Sequence, residues 1–405
     1  MSSSETPRPP LPIYETFFQQ VLLRLDSEFA HDLAERALRF LTRIPGMLAL
    51  TNWILRPKDS ALRIEAFGLA FRTPLGVAAG MDKNATWFNS LAALGFGAVE
   101  VGTVTARPQP GNEERPRMSR LPADRALLNA LGFPSDGAEA VAARLNRRHT
   151  DAVIGVNIGK SRQVKIDDAV TDYRKSIHLL APLADYLVLN VSSPNTPGLT
   201  AMQNVDRLGE LINGVRLELC DCLGSRQVPL LIKLGPDLLD EEIERIANMA
   251  LQMELDGIVA VNTTADPSAA IHSQVCLAKQ GHGGGLSGRP LQKRALEVLR
   301  LLHAKVGGQI DLISVGGLES AADAWERILA GASLVQTHTA FVYGGPLWPH
   351  RFNRDLLRCL RESQWSSIAE AVGKSANGKD FLASEDASKA ITQTGKVPLR
   401  YGATI

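Results

Sequence analysis

The stretch Tyr186-Leu187-Val188-Leu189-Asn190-Val191-Ser192-Ser193-Pro194-Asn195-Thr196-Pro197-Gly198 joins an apolar run to a polar loop. The apolar residues at its start predict a short buried strand. Ser, Asn, Pro and Gly then break the strand, and an ordinary strand-to-helix turn would have the same composition. The amides Asn190 and Asn195 bracket a serine pair. Because an amide both donates and accepts hydrogen bonds, these two could hold a planar ligand that carries carbonyl and N–H groups.

Similar apolar runs recur along the chain, each ending in a polar or glycine-rich turn and separated by stretches with helical periodicity. Near-continuous apolar strands that alternate with helices are typical of a parallel sheet covered on both faces. Eight such units predict a (β/α)8 barrel of the TIM type, and a doubly wound open sheet is the alternative. The predicted strands are residues 74–80, 98–103, 152–159, 186–193, 230–235, 257–264, 311–317 and 333–339.

Polar residues and glycines follow nearly every predicted strand, at the face where barrels carry their sites. Two lysines, several amides and late glycines suit an anionic, planar cofactor, whose phosphate could bind backbone N–H groups after strands seven and eight. The strand-end residues are Ala79, Gly80, Met81, Asp82, Lys83, Thr103, Asn157, Asn190, Asn195, Lys233, Asn262, Thr263, Gly316, Gly317 and Thr339.

Composition narrows the class of protein. The 405 residues carry a net charge of +1, which gives no indication of a nucleic-acid partner. The four cysteines lack the spacing of a metal site, so no metal is expected, and scattered thiols suit a reducing compartment. No apolar run is long enough to span a bilayer, and the polar, proline-rich start resembles neither a signal peptide nor a transit peptide.

Residues 13–50 read as two amphipathic helices. Phe18, Val21, Leu22, Leu25 and Phe29 mark the first, and the second ends at Pro45-Gly46. Their apolar faces could pack on the barrel or meet a lipid surface. Residues 105–133 and 198–204 are predicted to be loops that wall or cover the site. Residues 1–12 and 373–405 are predicted to be disordered.

Several motifs resemble those of the dihydroorotate dehydrogenase family from about Tyr14 to Gly373. The resemblance implies the class 2, quinone-dependent members, which carry a serine base where class 1 enzymes carry a cysteine, and an N-terminal helical pair at the quinone entrance. The motifs are Ala79-Gly80-Met81-Asp82-Lys83-Asn84, Glu100-Val101-Gly102-Thr103-Val104-Thr105, Asn190 to Gly198, Asn262-Thr263-Thr264 and Gly284-Gly285-Leu286-Ser287-Gly288-Arg289-Pro290.

The resemblance implies an FMN enzyme that oxidises dihydroorotate to orotate, with a membrane quinone as acceptor, in pyrimidine biosynthesis. Residues 13–55 would form the membrane-associating quinone entrance and residues 60–372 the FMN-binding barrel. FMN would contact Ala79, Gly80, Met81, Asp82, Lys83, Thr103, Asn157, Asn190, Lys233, Val261, Gly288, Gly316, Gly317, His338 and Thr339. The substrate would contact Lys83, Asn129, Ala130, Leu131, Gly132, Phe133, Asn190, Asn195, Asn262 and Thr263, and the quinone His31, Arg120 and His338.

Ser193 is the implied general base, which would take the proton from C5 of dihydroorotate. A serine in this role needs a dry site, since its own pKa is high. Lys233 would stabilise negative charge on the reduced flavin. A peripheral monomer on the cytoplasmic face of a bacterial inner membrane is expected, with the mitochondrial inner membrane as the alternative for a eukaryotic source. Another FMN barrel, such as an α-hydroxy-acid oxidase, or a catalytically silent ligand-binding barrel would be the competing functions.

Four positions depart from the family pattern. Val261 replaces a threonine that commonly touches FMN, and Ala130 replaces an arginine. Glu113-Glu114 replaces a proline-led run. His338 stands where a tyrosine usually lies between flavin and quinone, and a histidine, unlike tyrosine, can titrate near neutral pH. Two hypotheses remain for His338: a neutral packing residue, or a group that makes quinone reduction pH-sensitive.

Overall fold

A closed barrel of parallel strands forms the centre of the molecule. The computed structural model describes residues 12–274 and 283–374. Its strands are β1 (Ile64–Ala66), β2 (Leu69–Phe71), β3 (Leu75–Val77), β4 (Ala98–Val104), β5 (Met118–Leu121), β6 (Ala126–Asn129), β7 (Val153–Gly159), β8 (Tyr186–Asn190), β9 (Leu230–Leu234), β10 (Gly257–Ala260), β11 (Gly285–Gly288), β12 (Asp311–Val315) and β13 (Leu334–Thr337). The barrel order is β3-β4-β7-β8-β9-β10-β12-β13, and β13 pairs with β3 to close it.

Helices surround the barrel and cover its strands. In the described part of the chain they are α1 (Pro12–Gln20), α2 (Ser27–Arg43), α3 (Met47–Leu55), α4 (Phe88–Ala93), α5 (Ala138–Leu145), α6 (Ala169–Leu180), α7 (Val205–Leu223), α8 (Asp240–Gln252), α9 (Gln292–Val306), α10 (Ala321–Leu329), α11 (Thr339–Gly344), α12 (Trp348–Arg361) and α13 (Ile368–Ala371). Local sequence fixes some ends: Ser320 caps α10 by accepting a bond from Asp323 N–H, and the Asp323 carboxylate accepts one from Ser320 N–H.

The predicted barrel is confirmed, because each of the eight strand candidates contains one barrel strand. Every residue of β4, β7, β8 and β9 is buried, as expected for strands covered on both faces. Several predicted strands ran too far: the run predicted over 186–193 stops at Asn190. Its last three residues belong to the loop that the site uses.

Two small sheets were not predicted from the sequence. Strands β1 and β2 form a hairpin, and β5, β6 and β11 form a three-stranded antiparallel sheet. Residues 105–133 were predicted to be a loop, and this prediction is wrong for β5 and β6. Their four-residue strands carry no long apolar run, and they are stabilised by pairing with each other and with β11 and by a small buried cluster that includes Leu121, Leu128 and Leu286. The sheet places Asn129 beside the mouth of the barrel.

The predicted N-terminal helical pair is instead three helices. The first predicted helix was wrong in its length, because α1 ends at Gln20 and Leu25 is extended. Asp26 starts a new helix by accepting a hydrogen bond from Phe29 N–H at 2.9 Å. The second prediction agrees with α2, and Gly46, with φ of +78°, turns the chain into α3. The segments predicted to be disordered lie, apart from Pro12, Gly373 and Lys374, outside the described residues.

Polar contacts join the N-terminal helices to the barrel. Glu28 of α2 accepts two hydrogen bonds from Arg117, at 3.0 and 2.6 Å. The Tyr14 hydroxyl of α1 donates to the carbonyl of Val342 at 2.8 Å, and Phe18 packs against Tyr343. The opposite faces carry exposed apolar side chains, which are Ile13, Phe17, Val21, Phe29, Leu33, Phe40, Ile44, Leu50, Trp53 and Ile54. Among the described helices none is both long and apolar enough to cross a bilayer.

Candidate active site

A deep cavity opens at the carboxyl ends of the barrel strands. Its empty volume is about 1210 Å³ including the open mouth, which is more than one small ligand needs. The predicted residues that line it are His31, Ala79, Gly80, Lys83, Thr103, Asn129, Leu131, Gly132, Phe133, Asn190, Ser193, Asn195, Lys233, Val261, Asn262, Thr263, Gly288, Gly316, Gly317, His338 and Thr339. The barrel topology brings these strand ends together, as the sequence predicted.

A few of the predicted residues do not line the cavity, and their contacts with a ligand stay predictions. Asp82 accepts hydrogen bonds from the N–H groups of Thr86 and Trp87, so it fixes the turn after β3, and neighbouring Met81 is packed in the core. Asn157 lies below the cavity floor, where it holds other side chains. Ala130 and Arg120 also lie outside the lining.

Buried amides form the floor of the cavity. The Asn157 amide oxygen accepts from Thr103 Oγ1 at 2.7 Å and from Asn190 Nδ2 at 3.1 Å. Asn190 Nδ2 also donates to Thr103 Oγ1 at 2.9 Å. Asn262 Nδ2 in turn donates to the Asn190 amide oxygen at 3.2 Å and to Ser192 Oγ at 3.0 Å. Because each amide is oriented by another, the polar groups that face the cavity are held in place before any ligand binds.

Glu100 anchors this network, and the sequence reasoning gave it no role. Its carboxylate accepts bonds from Asn157 Nδ2 at 2.8 Å and from Gln336 Nε2 at 2.7 Å. The Tyr186 hydroxyl donates to it at 3.4 Å. A charged residue within the apolar strand β4 was the signal that could have identified it.

Lys233 brings a positive charge to the cavity wall. The residue is 5% exposed, and burial lowers the pKa of its ammonium while the Glu100 carboxylate opposes this. In the described part of the chain, its Nζ forms no hydrogen bond within 3.5 Å and no ion pair within 4.0 Å, and Glu100 acts on it only at longer range. A buried cation without a protein partner is costly, so the site suits an acceptor or an anion supplied by a ligand.

Ser193 and the two outer amides form the opposite wall. The Ser193 hydroxyl accepts a bond from Asn195 N–H at 3.3 Å and is 5% exposed. Asn195 Nδ2 donates to both the backbone and side-chain oxygens of Asn129, at 3.0 and 3.1 Å. The nearby Thr196 hydroxyl is buried and finds no partner among the described residues. Ser193 is thus shielded from water and fixed within its loop.

Three nitrogen bases meet where α2 covers the cavity. Lys83 Nζ lies 3.3 Å from His31 Nε2, and the His338 ring lies next to Gly80. The pKa of His338 is lowered to about 4, chiefly by burial and also by the Lys83 and Lys233 cations, against a backbone hydrogen bond of Gly80 that raises it. Burial likewise lowers the pKa of His31, with Lys83 and His338 acting in the same direction. Both histidines are therefore neutral near pH 7.

The remaining predicted quinone-site residue, Arg120, lies at the edge of this region. Its guanidinium donates to the carbonyl of Leu25, at the break between α1 and α2. Burial lowers its pKa, whereas Tyr343, Asp26 and Tyr14 oppose that effect. Arg120 therefore contacts the segment between α1 and α2 and does not line the cavity itself.

The lining also includes groups that the sequence reasoning missed: Met118, Leu127, Ser287, Glu319, Gln336 and Thr337. The Gln336 amide oxygen and the Thr337 hydroxyl are buried without a partner in the described structure. At Gly80 the φ angle is +100°, and a Cβ there would meet only the His338 ring, at 3.7 Å. Unpaired polar atoms and backbone open to the cavity fit a flavin, which is planar and rich in carbonyl, N–H and hydroxyl groups.

Comparison with known proteins identifies the same family that the sequence motifs resemble. The model of the family described as "Dihydroorotate dehydrogenase" matches residues 61–360. The dihydroorotate dehydrogenase (quinone) of Thermobifida fusca is 49% identical over 365 residues, which are 89% of this chain and 96% of the relative. The dihydroorotate dehydrogenase (quinone) of Streptomyces coelicolor is 50% identical over 364 residues, which are 89% of this chain and 98% of that relative.

The chain belongs to the dihydroorotate dehydrogenase family. A solved relative is the enzyme of Eimeria tenella in complex with ferulenol, which is 34% identical with a TM-score of 0.75. It covers 86% of this chain and 96% of its own. Relatives about 50% identical are named as the quinone-dependent type. The chain is therefore a flavin oxidoreductase that oxidises dihydroorotate with a quinone as the acceptor.

Proposed function

We propose that the flavin is FMN and that the cavity holds it against dihydroorotate. The observation that carries the proposal is Lys233, a buried ammonium that faces the cavity without an acceptor in the described structure. The bound FMN would accept a hydride from dihydroorotate and pass electrons to the quinone. The residues that would hold it are Ala79, Gly80, Lys83, Thr103, Asn190, Lys233, Gly288, Gly316, Gly317 and Thr339, with Asn157 orienting them from below.

Residues on the Ser193 side of the cavity would bind the substrate. Dihydroorotate has an imide and a carboxylate, which match amides that donate and accept and a lysine that attracts the anion. Asn129, Asn195 and Asn262 converge there, and Thr263 and Lys83 also line the cavity. Ser193 would take the proton from C5. Its burial keeps the reacting proton away from water, as a weakly basic hydroxyl requires.

The N-terminal helices would dock on a membrane and admit the quinone. Their exposed apolar side chains lie on one structural unit, which suits the lipid interface. His31 and His338 line the cavity beneath α2, where a quinone entering between the helices would arrive. A monomer on the cytoplasmic face of a bacterial inner membrane stays our prediction.

The flavin released from the purified protein tests the cofactor. We expect FMN, identified by chromatography, and bleaching of its visible band when dihydroorotate is added without oxygen. Lys233→Met should lower FMN content or slow the bleaching by about 10-fold or more, because a buried charged donor is lost. Lys293→Met, at an exposed lysine of α9, is the matched control and should change neither.

Absence of flavin from the wild-type protein would contradict the whole proposal. Bound FMN that dihydroorotate does not reduce would contradict only the assignment of the substrate side. Equal effects of the Lys233 and Lys293 substitutions would show that Lys233 has no special role at the cofactor.

A further inference from the structure

Arg327 of α10 is a buried arginine outside the cavity lining. It is 1% exposed, and its guanidinium donates to Ser314 Oγ at 3.0 Å and to the carbonyl of Gly316 at 2.5 Å. Burial lowers the pKa of Arg327 to about 10, while Asp323 and Glu326 oppose this, so the group stays charged near pH 7. No carboxylate of the described residues lies within 4.0 Å of it. Its direct contacts are therefore neutral, and the Asp323 and Glu326 carboxylates compensate its charge only at longer range.

The bond to Gly316 fixes one particular peptide plane. In a trans peptide the carbonyl of residue 316 and the N–H of residue 317 point in opposite directions. Arg327 holds the carbonyl on the α10 side, outside the strands. The Gly317 N–H is therefore turned to the other side, where Gly316 and Gly317 line the cavity.

The same loop has donors without acceptors. Within the described residues, neither Gly316 N–H nor Gly317 N–H finds a protein acceptor. Gly317 is buried with φ of +70°, and a Cβ there would lie 2.5 Å from Gln292 Cα, so the loop is tightly packed against α9. Buried backbone donors without partners are rare in folded proteins. The buried Gly317 N–H therefore indicates a bound acceptor, and the loop after the seventh strand is a common phosphate position in barrels.

We propose that Arg327 is a positioning residue for the phosphate of the flavin cofactor. It fixes the 316–317 peptide with its N–H toward the phosphate, and its charge behind the loop attracts the dianion through a low-dielectric layer. The proposal rests on the proposed FMN site. It assigns a function to a side chain that does not line the cavity.

A competition between two flavins tests this assignment. The holoenzyme is equilibrated with mixtures of FMN and riboflavin, which lacks the phosphate, and the bound flavins are quantified after removal of the free ones. The bound ratio gives the preference for FMN directly. We expect Arg327→Met to lower that preference about 10- to 100-fold, the range for one lost hydrogen-bond interaction with a charged acceptor. Riboflavin binding itself should stay within about threefold.

Matched variants separate positioning from packing. Arg327→Lys keeps the charge and should recover part of the preference, whereas Arg327→Gln, a polar replacement suited to folding, should lose it as Met does. Ser314→Ala removes only the other partner and should keep the preference. Arg300→Met, at an exposed residue paired with Glu326, is the surface control and should have no effect.

The outcome separates this inference from the proposed function. A wild-type protein that binds no flavin, or that does not prefer FMN, would contradict the proposed FMN site itself. A clear wild-type preference that Arg327→Met or Arg327→Gln leaves unchanged would overturn the positioning role alone. Equal weakening of FMN and riboflavin would also overturn it, because that result is expected of a residue that only supports packing.

Discussion

The barrel site and the N-terminal helices depart from ordinary burial in opposite directions. The barrel buries polar groups, including Asn157, Asn190 and Lys233, whereas the helices leave Phe40 and Trp53 62% and 59% exposed. Buried polar groups and exposed apolar patches are the informative exceptions to the rule that apolar residues lie inside. The buried polar groups of the barrel form a site for a polar ligand. The exposed apolar side chains of the helices form a surface whose contact with water is unfavourable.

The two regions also differ in how strongly they are fixed. The barrel site rests on strands and on a hydrogen-bond network anchored by Glu100. The helices contact the rest of the molecule through separate polar pairs spread along them, such as Glu28 with Arg117 and Tyr14 with Val342, rather than through one connected network. Changes in the barrel should therefore affect dihydroorotate oxidation, and changes in the helices should affect the lipid and quinone side.

The largest effect is expected at Ser193, in the barrel region. Ser193→Ala should slow flavin reduction by dihydroorotate about 10²–10⁴-fold, the usual cost of losing a general base, while orotate still binds. Ser193→Cys should retain more activity, increasingly so at high pH, because a thiolate forms more easily. Rapid-mixing absorbance under anaerobic conditions measures both. Ser192→Ala is the neighbouring control and should cost less, since its hydroxyl bonds only to amides of the site, accepting from Asn262 Nδ2 at 3.0 Å and donating to the Asn190 amide oxygen at 3.5 Å. Near-normal reduction in Ser193→Ala would remove the residue from the chemistry.

The next effect concerns the exposed face of the helices. The double substitution Phe40→Ser and Trp53→Ser should weaken binding to phosphatidylethanolamine–phosphatidylglycerol vesicles about 10- to 100-fold, since each apolar side chain loses lipid burial. Oxidation of dihydroorotate with a soluble acceptor should not change. Leu217→Ser with Leu239→Ser is the matched control, as these leucines are 63% and 66% exposed on α7 and just before α8. Equal losses in both pairs, measured by co-sedimentation, would mean that the N-terminal face is not the docking surface.

Sequence alone identified the barrel and most of its cavity for one physical reason. Strands buried on both faces are apolar throughout, and the carboxyl ends of barrel strands meet at one face. Side chains such as Lys233 and Asn262 could therefore be grouped without coordinates. The sheet containing β5 could not be predicted, because its strands are only four residues long and β6 also pairs with β11, which is distant in sequence.

Two further features were hidden for different reasons. The break before α2 depends on a single capping bond, in which Asp26 accepts from Phe29 N–H. The helical spacing of the apolar residues continues through this break, so the sequence predicted one continuous helix. Arg327 resembled a helix surface residue, and only the packing of α10 shows that it contacts the loop at Gly316.

A smaller effect is expected where the two regions meet, at Glu28. Arg117 holds the pKa of Glu28 below its ordinary value, chiefly through the hydrogen bonds between them. A depressed carboxyl pKa means that the contact stabilises above the unfolded pKa and weakens as pH falls through the folded value. Glu28→Gln should therefore destabilise the docking of α2 by about 1 kcal/mol at pH 7, with wild type and variant converging at acidic pH.

Hydrogen exchange of the α2 amides measures that difference. Glu35→Gln is the matched control, because Glu35 forms an ion pair with Arg39 of the same helix at 3.2 Å, and such surface pairs contribute little. If both variants lose the same protection, the bond to Arg117 does not hold the helix on the barrel.

The smallest effect is expected at His338, beneath the helices. The sequence left two hypotheses, and the structure favours the neutral one, since burial lowers the pKa of His338 to about 4 and the Lys83 and Lys233 cations act in the same direction. A histidine with a lowered pKa gains its proton only below that value, so its charge does not change between pH 5 and 8. The pH profiles of flavin reoxidation by quinone should therefore coincide in wild type and His338→Tyr over that window. Flavin reduction by dihydroorotate serves as the internal control in the same samples. An inflection in the wild-type profile that His338→Tyr removes would show that bound quinone or flavin returns the proton to His338, and would connect the two regions through a titrating group.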